Sequence, residues 1–337
     1  MPSVIIGAGS WGTALGKLLA EKGRRVKLLA RRKEVVEAIN QRKENPYYLP
    51  KIKLPQNLSA TTEPGILKEA SLVVFAVPSH VLRKTLSHLK EYLPPKPVPL
   101  VSTIKGIEEE TLATMGQVVR ETLPEGWHPY YTVLSGPSFA EEVARGLPTA
   151  VTVAGLEREI SQAVQESFAT RYFRTYRSLD VLGVELAGAL KNVIAIAAGI
   201  ADGLNFGLNA RAALITRGLA EMSRLGVKMG ANPLTFSGLA GLGDLVLTCT
   251  GPLSRNRTVG LRLGRGEKLE EILKSMTQVA EGVRTTSSAR ALAQKHQVEM
   301  PICEAVYRVL YQGEDPRQMA LNLLTRRLKE EIDFIQF

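Results

Sequence analysis

Residues 4–15 read Val4-Ile5-Ile6-Gly7-Ala8-Gly9-Ser10-Trp11-Gly12-Thr13-Ala14-Leu15, the most informative segment for the class of fold. A β-branched run passes directly into a Gly-x-Gly-x-x-Gly pattern and then into a helical pattern. In such a turn the first glycine permits the tight bend, the second lets the backbone approach a pyrophosphate, and the third lets the helix lie against the strand. The free N–H groups at the helix start then face the anion. The stretch predicts dinucleotide binding; the alternative is a glycine-rich turn in another kind of α/β domain.

Five further runs predict strands that alternate with helical segments, at residues 25–30, 58–61, 71–77, 97–103 and 130–134. This alternation indicates an α/β fold with a Rossmann-type, doubly wound, mostly parallel sheet, whose ligands bind at the carboxyl ends of the strands. Each of four strands is followed by a tight or reactive segment, and we expect these segments to meet in one crevice. They are the glycine turn, 77–79, Lys105-Gly106 and 135–138.

From about Val181 the strand patterns disappear and long helical patterns replace them. Residues 184–201 are apolar on nearly all faces apart from Glu185, Lys191 and Asn192. A membrane span needs about 20 apolar residues and does not normally hold a lysine and an asparagine at its centre, so we expect a buried central helix and no membrane span. The sequence therefore predicts a dinucleotide-binding domain at 1–180 and an all-α C-terminal domain at 181–337.

The second strand ends at Ala30-Arg31-Arg32, where an acidic residue for the ribose 2′-hydroxyl is usual. Two guanidinium groups suit a 2′-phosphate and favour NADP over NAD, although arginine can also stack on adenine. The alternative is a solvated helix start. The sequence is therefore compatible with either NADP or NAD as the cofactor.

Lys191 is the strongest candidate for chemistry in the helical part. An ammonium group on a helix that is apolar on most sides is costly to bury unless it is paired, and buried lysines can serve as proton donors. The alternative is a lysine that extends to solvent. Asn192 and Asp244 are candidate partners, with Asp244 in a predicted turn at 239–244. Lys105 directly follows a strand and should face the crevice, the alternative being a loop lysine in solvent.

Ser254-Arg255-Asn256 opens a helix after Thr250-Gly251-Pro252. A serine cap, free backbone N–H groups and an arginine fork together make a phosphate site. The alternative is a capped helix with solvated arginines.

The amino-acid composition restricts which classes of protein and partner are possible. The 337 residues are 45% hydrophobic and 23% charged, with a net charge of +10, as in a globular protein of about two domains. The basic residues are scattered, so we expect no nucleic-acid partner. The cysteines, Cys249 and Cys303, and the four histidines have no metal-ligand spacing, and no metal is expected. We expect no secretory signal and a cytoplasmic location.

Together these segments resemble the bacterial NAD(P)-dependent sn-glycerol-3-phosphate dehydrogenases, in order over almost the whole chain. The matching segments are 7–14, 102–107, 134–140, 185–195, 241–245, 254–256, 279–283 and 300–302. The resemblance implies reversible reduction of dihydroxyacetone phosphate, a small phosphorylated substrate, to sn-glycerol 3-phosphate for phospholipid synthesis. It also implies a homodimer.

Residue roles follow from the same resemblance. Lys191 resembles the catalytic proton donor and acceptor, with Lys105 beside the reacting oxygen, Asp244 orienting the lysine, and Asn192 and Thr248 as supporting polar contacts. The implied substrate contacts are Lys105, Gly136, Ser138, Lys191, Asp244, Ser254, Arg255 and Asn256. The implied cofactor contacts are Gly7, Gly9, Ser10, Trp11, Gly12, Arg31, Arg32, Lys105, Ala140, Arg255, Val279 and Glu281.

Two other functions are compatible with a dinucleotide fold. One is a β-hydroxyacid or ketopantoate-type reductase, against which the predicted phosphate site at 254–256 argues, since those substrates need a carboxylate site. The other is a nucleotide sensor without catalysis, which leaves the placement of Lys105, Lys191 and Asp244 unexplained.

Overall fold

The structure, a computed structural model, describes residues 1–276, 279–328, 330 and 331. The chain divides into two compact units, of which the first comprises Met1–Lys105 and Ala113–Glu185. The second comprises Gly106–Leu112 and the chain from Leu186 onward. Within it, the Ser288 hydroxyl donates to the Ile107 carbonyl at 3.4 Å. The predicted boundary after residue 180 stays a prediction. Gly106–Leu112 belong to the second unit although they precede that boundary.

The first unit contains a large sheet and a small hairpin. The strands are β1 Ser3–Ile6, β2 Val26–Leu29, β3 Glu44–Asn45, β4 Leu49–Lys53, β5 Leu58–Thr61, β6 Leu72–Phe75, β7 Leu100–Ser102, β8 Tyr131–Ser135, β9 Thr149–Gly155 and β10 Phe173–Ser178. Eight of them form one sheet in the order β10-β9-β8-β7-β6-β1-β2-β5, and β3 pairs with β4 in a separate antiparallel hairpin. Every neighbouring pair in the large sheet is parallel except β8 with β9. The predicted doubly wound, mostly parallel sheet is confirmed.

The central strands are fully buried because they lie in the middle of the sheet and are apolar along their length. β1 and β6 are buried at every residue, as expected for parallel strands covered on both faces. β1, β6, β7 and β8 are parallel neighbours, so their carboxyl ends lie along one edge of the sheet. The four segments predicted to meet there all follow these strands.

Strands β9 and β10 were not predicted. The predicted alternation of strands and helices stops at residue 134, whereas β9 returns antiparallel to β8 with Ser135 opposite Thr152. An antiparallel return needs no long crossover, and a short helix and a loop suffice to connect the two strands. Val151 and Val153 are completely buried, so β9 extends the core of the first unit.

Helices cover this sheet and make up most of the second unit. Those of the first unit are α1 Ser10–Glu21, α2 Lys33–Glu37, α3 Leu82–Leu89, α4 Met115–Thr122, α5 Ala140–Ala144 and α6 Arg158–Phe168. From there the helices are α7 Val181–Gly203, α8 Gly207–Lys228, α9 Pro233–Ser237, α10 Asp244–Thr250, α11 Arg255–Gly264, α12 Leu269–Ser275, α13 Glu281–Lys295, α14 Pro301–Gln312 and α15 Pro316–Leu324. The predicted all-α C-terminal part is confirmed.

Helix α7 is the buried central helix that the sequence predicts. It is long and apolar enough to cross a membrane, but 94% of its apolar window is buried inside the protein. It is also the only helix of that kind in the part of the chain that the structure describes.

Two pairs of glycines bring the backbones of α7 and α11 into direct contact. A β-carbon at Gly199 would lie 2.1 Å from the Arg257 carbonyl oxygen, and one at Gly260 would lie 2.0 Å from the Ile196 carbonyl oxygen. One turn further along, β-carbons at Gly203 and Gly264 would each lie 2.4 Å from a carbonyl oxygen of the opposite helix. Larger residues cannot fit here, so the crossing fixes the start of α11 relative to Lys191 on α7.

Candidate active site

The glycine turn between β1 and α1 is tightly packed at two of its glycines and open at the third. Gly7 has φ +110°, and a β-carbon there would lie 2.5 Å from the Ala76 carbonyl oxygen. A β-carbon at Gly12 would lie 2.0 Å from the Gly7 carbonyl oxygen. At Gly9, by contrast, a β-carbon would meet no described protein atom within 4 Å, and φ is an ordinary −75°. The fold therefore requires Gly7 and Gly12, whereas Gly9 leaves an open cradle at the start of α1.

Trp11 supplies a second sign of a ligand at this cradle. Its indole Nε1 is buried and has no hydrogen-bond partner among the described residues, although buried N–H groups are nearly always paired. The Ser10 hydroxyl, in contrast, donates to the Tyr48 carbonyl at 2.5 Å. The open cradle, the orphaned indole and the helix start fit a dinucleotide.

Arg31 and Arg32 lie exposed after β2, as the sequence predicts. The Arg32 Nε donates to Glu34 at 2.6 Å, and its guanidinium lies 4.9 Å from the centre of the Tyr47 ring. Arg32 is thus held beside an aromatic ring by a neighbouring carboxylate. The place where a ribose-binding acid is usual is occupied by cations.

At the ends of β7 and β8, Lys105, Gly136 and Ser138 come together. The Lys105 ammonium donates to the Gly136 carbonyl at 3.2 Å, and the Ser138 hydroxyl donates to the same oxygen at 2.9 Å. Ala140 begins α5 two residues later. The first unit therefore holds this group on the same sheet edge as the glycine turn.

In the second unit, Lys191 forms a buried ion pair with Asp244. The ammonium donates to the Asp244 carboxylate at 2.8 Å and to the Thr248 hydroxyl at 2.7 Å. The three residues are only 5%, 1% and 4% exposed. The Thr248 hydroxyl donates to the Asp244 backbone carbonyl at 2.6 Å, which fixes its direction. The predicted pairing is present, and the alternative of a lysine extended to solvent is excluded.

The predicted turn at 239–244 is wrong. Leu239–Gly243 form a π-helical turn that runs directly into α10, so Asp244 is the first residue of that helix. A β-carbon at Gly241 would lie 2.1 Å from the Phe236 carbonyl oxygen, so this glycine serves tight helical packing. Placement at the start of α10 puts Asp244 and Thr248 one helical turn apart on the same face, where both reach Lys191.

Asn192, Asn256 and Gly282 join three helices in a chain of hydrogen bonds. The Asn256 amide donates to the Asn192 side-chain oxygen at 2.9 Å, and the Asn256 side-chain oxygen accepts from the Gly282 N–H at 2.9 Å. Asn256 is 8% exposed. Both polar atoms of its carboxamide thus have protein partners, and they hold the starts of α11 and α13 against α7.

Ser254 caps α11 as the sequence predicts, accepting from the Arg257 N–H at 3.2 Å. Arg255 is exposed, and its guanidinium donates to the Val279 carbonyl at 2.6 Å. Glu281 begins α13. The residues predicted to bind substrate phosphate and cofactor in this unit therefore lie around two neighbouring helix starts.

Asp202, at the end of α7, pairs with two arginines and was not predicted from the sequence. Its carboxylate accepts from Arg211 on α8 and from Arg257 on α11, each at 2.8 Å. These partners lie 9 and 55 positions away along the chain, so no local pattern could reveal them. Asp202 thus fastens the first turn of α11 through Arg257, next to the residue that anchors the Asn256 chain.

Comparison with known proteins identifies the family. The family model described as the NAD-dependent glycerol-3-phosphate dehydrogenase N-terminus matches residues 3–161, and the model of its C-terminus matches residues 180–321. The chain belongs to the NAD-dependent glycerol-3-phosphate dehydrogenase family. This confirms the resemblance that the sequence motifs indicate.

Individual relatives are similar over their whole length. The chain is 55% identical to a glycerol-3-phosphate dehydrogenase (NAD(P)+) of Citrifermentans bemidjiense, over 97% of this chain and 98% of the relative. It is 52% identical to one of Syntrophobacter fumaroxidans, over 98% of each. The crystal structure of glycerol-3-phosphate dehydrogenase from Coxiella burnetii superimposes with a TM-score of 0.92 at 42% identity, covering 96% of this chain and 99% of that one.

Proposed function

We propose that this chain catalyses the reversible, NAD(P)-dependent reduction of dihydroxyacetone phosphate to sn-glycerol 3-phosphate, the precursor of the phospholipid backbone. The observation that carries the proposal is the buried Lys191–Asp244 pair in a chain of this dehydrogenase family. An ammonium group held in one orientation by a carboxylate and a hydroxyl is suited to proton transfer at a carbonyl.

We assign the proton transfer to Lys191. A reduced nicotinamide cofactor held at the glycine turn would supply a hydride for C2 of the substrate. Negative charge then develops on the carbonyl oxygen, where the Lys191 ammonium stabilises it and donates a proton. In the oxidation direction the Lys191 amine accepts the proton. Asp244 and Thr248 orient the lysine in both directions, and we propose a substrate-binding role for Lys105.

The start of α11 is our candidate for binding the substrate phosphate. The exposed Arg255 guanidinium and the first-turn N–H groups supply charge and donors. The Asn256 carboxamide is already bonded to Asn192 and Gly282, so we propose that Asn256 acts by fixing the turn. Ser254, Gly136 and Ser138 complete the proposed substrate contacts.

For the cofactor, we propose binding at the glycine turn. The residues assigned to it are Gly7, Gly9, Ser10, Trp11, Gly12, Arg31, Arg32, Lys105, Ala140, Arg255, Val279 and Glu281. Arg31 and Arg32 favour NADPH, because guanidinium groups bind a 2′-phosphate that NADH lacks.

We also propose that the protein works as a homodimer in the cytoplasm. Large apolar side chains are exposed on the second unit, among them Leu208, which is 72% exposed, and Leu234, which is 76% exposed. Cys249 and Cys303 are both buried free thiols, which agrees with a reducing compartment. Light scattering coupled to size-exclusion chromatography tests the dimer, and a monomeric mass would contradict it.

Oxidation of NADPH and of NADH with dihydroxyacetone phosphate tests the activity, with unphosphorylated dihydroxyacetone as control. We expect rapid oxidation that depends on the phosphate. Cofactor binding without oxidation would favour the nucleotide-sensor alternative, and oxidation with oxo-acids instead would favour the reductase alternative.

A further inference from the structure

The β3–β4 hairpin, Glu44–Lys53, touches the glycine turn although it lies outside the large sheet. Asn45, in β3, is completely buried. Its amide nitrogen donates to the Ala8 carbonyl at 2.9 Å and to the Thr13 hydroxyl at 2.8 Å. Ala8 stands between the first two glycines of the turn, and Thr13 lies in the first turn of α1. One carboxamide therefore ties the glycine turn to the helix that follows it.

A second contact fastens the same hairpin on the other side of Gly9. The Tyr48 carbonyl, in the loop between β3 and β4, accepts from the Ser10 hydroxyl at 2.5 Å. Ala8 and Ser10 flank Gly9, the residue that faces the open cradle. The hairpin thus holds both neighbours of the residue whose backbone would approach a pyrophosphate.

These contacts matter because a glycine turn has no side chains of its own to restrict it. Glycine loses more conformational freedom on ordering than any other residue. A turn already held in its binding conformation avoids that cost when a ligand binds, which raises affinity. Asn45 supplies such restraint from a segment that is remote in sequence, 37 residues after Ala8.

We propose that Asn45 is a positioning residue for the dinucleotide, acting through the Ala8 carbonyl and the Thr13 hydroxyl. The proposal rests on the proposed NAD(P) binding. Asn45 needs no contact with the cofactor. Its effect is to keep the glycine turn in the conformation that accepts a pyrophosphate.

Asn45→Asp is the sharpest variant. Aspartate has the same shape, but it places a carboxylate oxygen against the Ala8 carbonyl oxygen, which can only accept. The amide bond to Ala8 is then lost, and only the Thr13 hydroxyl can still donate to residue 45. Thr13→Val is a milder second variant that removes one of the two partners with little change in volume. Asn57→Ala is the matched control, because the Asn57 amide donates to the Ala20 and Arg24 carbonyls, both at 2.8 Å, at the other end of α1.

The measurement is the Kd of NADPH by fluorescence titration of each full-length variant without substrate, with circular dichroism to confirm folding. We expect Kd to rise at least tenfold in Asn45→Asp and two- to threefold in Thr13→Val, and to stay within twofold in Asn57→Ala. At saturating NADPH, kcat and the KM for dihydroxyacetone phosphate should stay within twofold, a separation that general loss of structure would not give.

An unchanged Kd in folded Asn45→Asp would overturn the proposal. If that variant does not fold, an unchanged Kd in Thr13→Val would overturn it instead. Failure of the unmodified protein to bind NADPH or NADH would be a different result, since it contradicts the proposed cofactor use itself.

Discussion

The Lys191 ammonium and the Asp244 carboxylate lie 2.8 Å apart, with both side chains almost completely removed from solvent. A buried pair of this kind is worth little as a net source of stability, but the loss of one partner leaves an uncompensated charge. The pair is better explained by a need for a fixed ammonium group at this position than by stability.

Replacement of Lys191 by alanine should therefore reduce turnover strongly and leave the cofactor site intact. We expect kcat to fall by about 10³-fold, within the range for loss of a general acid, and the Kd of NADPH to stay within twofold. The uncompensated Asp244 should also lower stability, by about 3 kcal/mol. Stopped-flow turnover and fluorescence titration measure the first two effects, and intact activity would remove Lys191 from its assigned role.

In a double-mutant comparison, Lys191→Ala combined with Asp244→Asn should recover part of the lost stability without recovering activity. Asparagine is close to aspartate in shape but carries no charge, so the cost of burying an unpaired carboxylate disappears. Thermal unfolding of the single and double variants checks this. Equal melting temperatures would show that the carboxylate is not the source of the destabilisation.

Gly9→Ala should impair cofactor binding while the fold stays unchanged. Its backbone conformation is accessible to alanine, and the added methyl group meets no described protein atom within 4 Å. A bound pyrophosphate would meet it, so we expect the Kd of NADPH to rise at least tenfold with a melting temperature within about 2 °C of the original. Gly65→Ala is the control, because Gly65 is equally open but lies outside the turn. Equal affinities in both variants would place the pyrophosphate elsewhere.

Arg31→Ala and Arg32→Ala should each reduce the preference for NADPH over NADH by about tenfold. A charge-assisted hydrogen bond is worth roughly 1.5–3 kcal/mol. Only NADPH would lose this bond, because NADH has no 2′-phosphate. The ratio of kcat/KM for the two cofactors measures the change. Lys33→Ala, at the start of α2, controls for a general loss of positive charge. A parallel fall for both cofactors would instead indicate stacking on the adenine.

Glu221 should make stability depend on pH near neutrality. Burial raises its pKa from 4.5 to about 7, although backbone N–H groups of Ile302 and Cys303 partly oppose this by donating to the carboxylate at 2.7 and 3.2 Å. The folded state therefore holds the proton more tightly than the unfolded state. The resulting stabilisation is complete below pH 4.5 and disappears as the pH rises through 7, by about 3 kcal/mol in total.

Urea unfolding of the original protein and of Glu221→Gln, compared between pH 4.5 and 8, measures this contribution. The glutamine variant cannot titrate, so its free energy of unfolding should fall less over this range than that of the original protein. Identical pH dependence in the two proteins would show that Glu221 is already ionised below neutrality.

Features of the fold that depend on a local pattern of residues could be predicted from the sequence. The glycine turn, the parallel strands and the buried helix α7 follow from β-branched runs, glycine spacing and apolar periodicity, and the pairing of Lys191 follows from the cost of burying its charge. The cap at Ser254 is equally local, because its partner lies three residues away.

The parts that could not be predicted depend on distant contacts. The short β3–β4 hairpin contains Pro46 and Pro50 and no regular alternation of apolar and polar residues, so it has no clear strand pattern. Its proposed role depends on a turn nearly forty residues earlier. Asp202 becomes important only when folding brings Arg211 and Arg257 to it. The segment 239–244 looks like a turn because of its glycines, whereas tight packing selects a π-helical turn there.

The glycine contacts between α7 and α11 have a consequence for substrate size. The backbones of α7 and α11 are in direct contact. A change of side-chain rotamer therefore cannot lengthen or shorten the span from the Lys191 backbone to the backbone at the start of α11. In the proposed reaction that span sets the distance between the reacting oxygen and the phosphate of a three-carbon substrate. A homologue of the substrate with one more carbon would not match this span. A methyl group added at Gly260 would force the two helices apart and change the span itself.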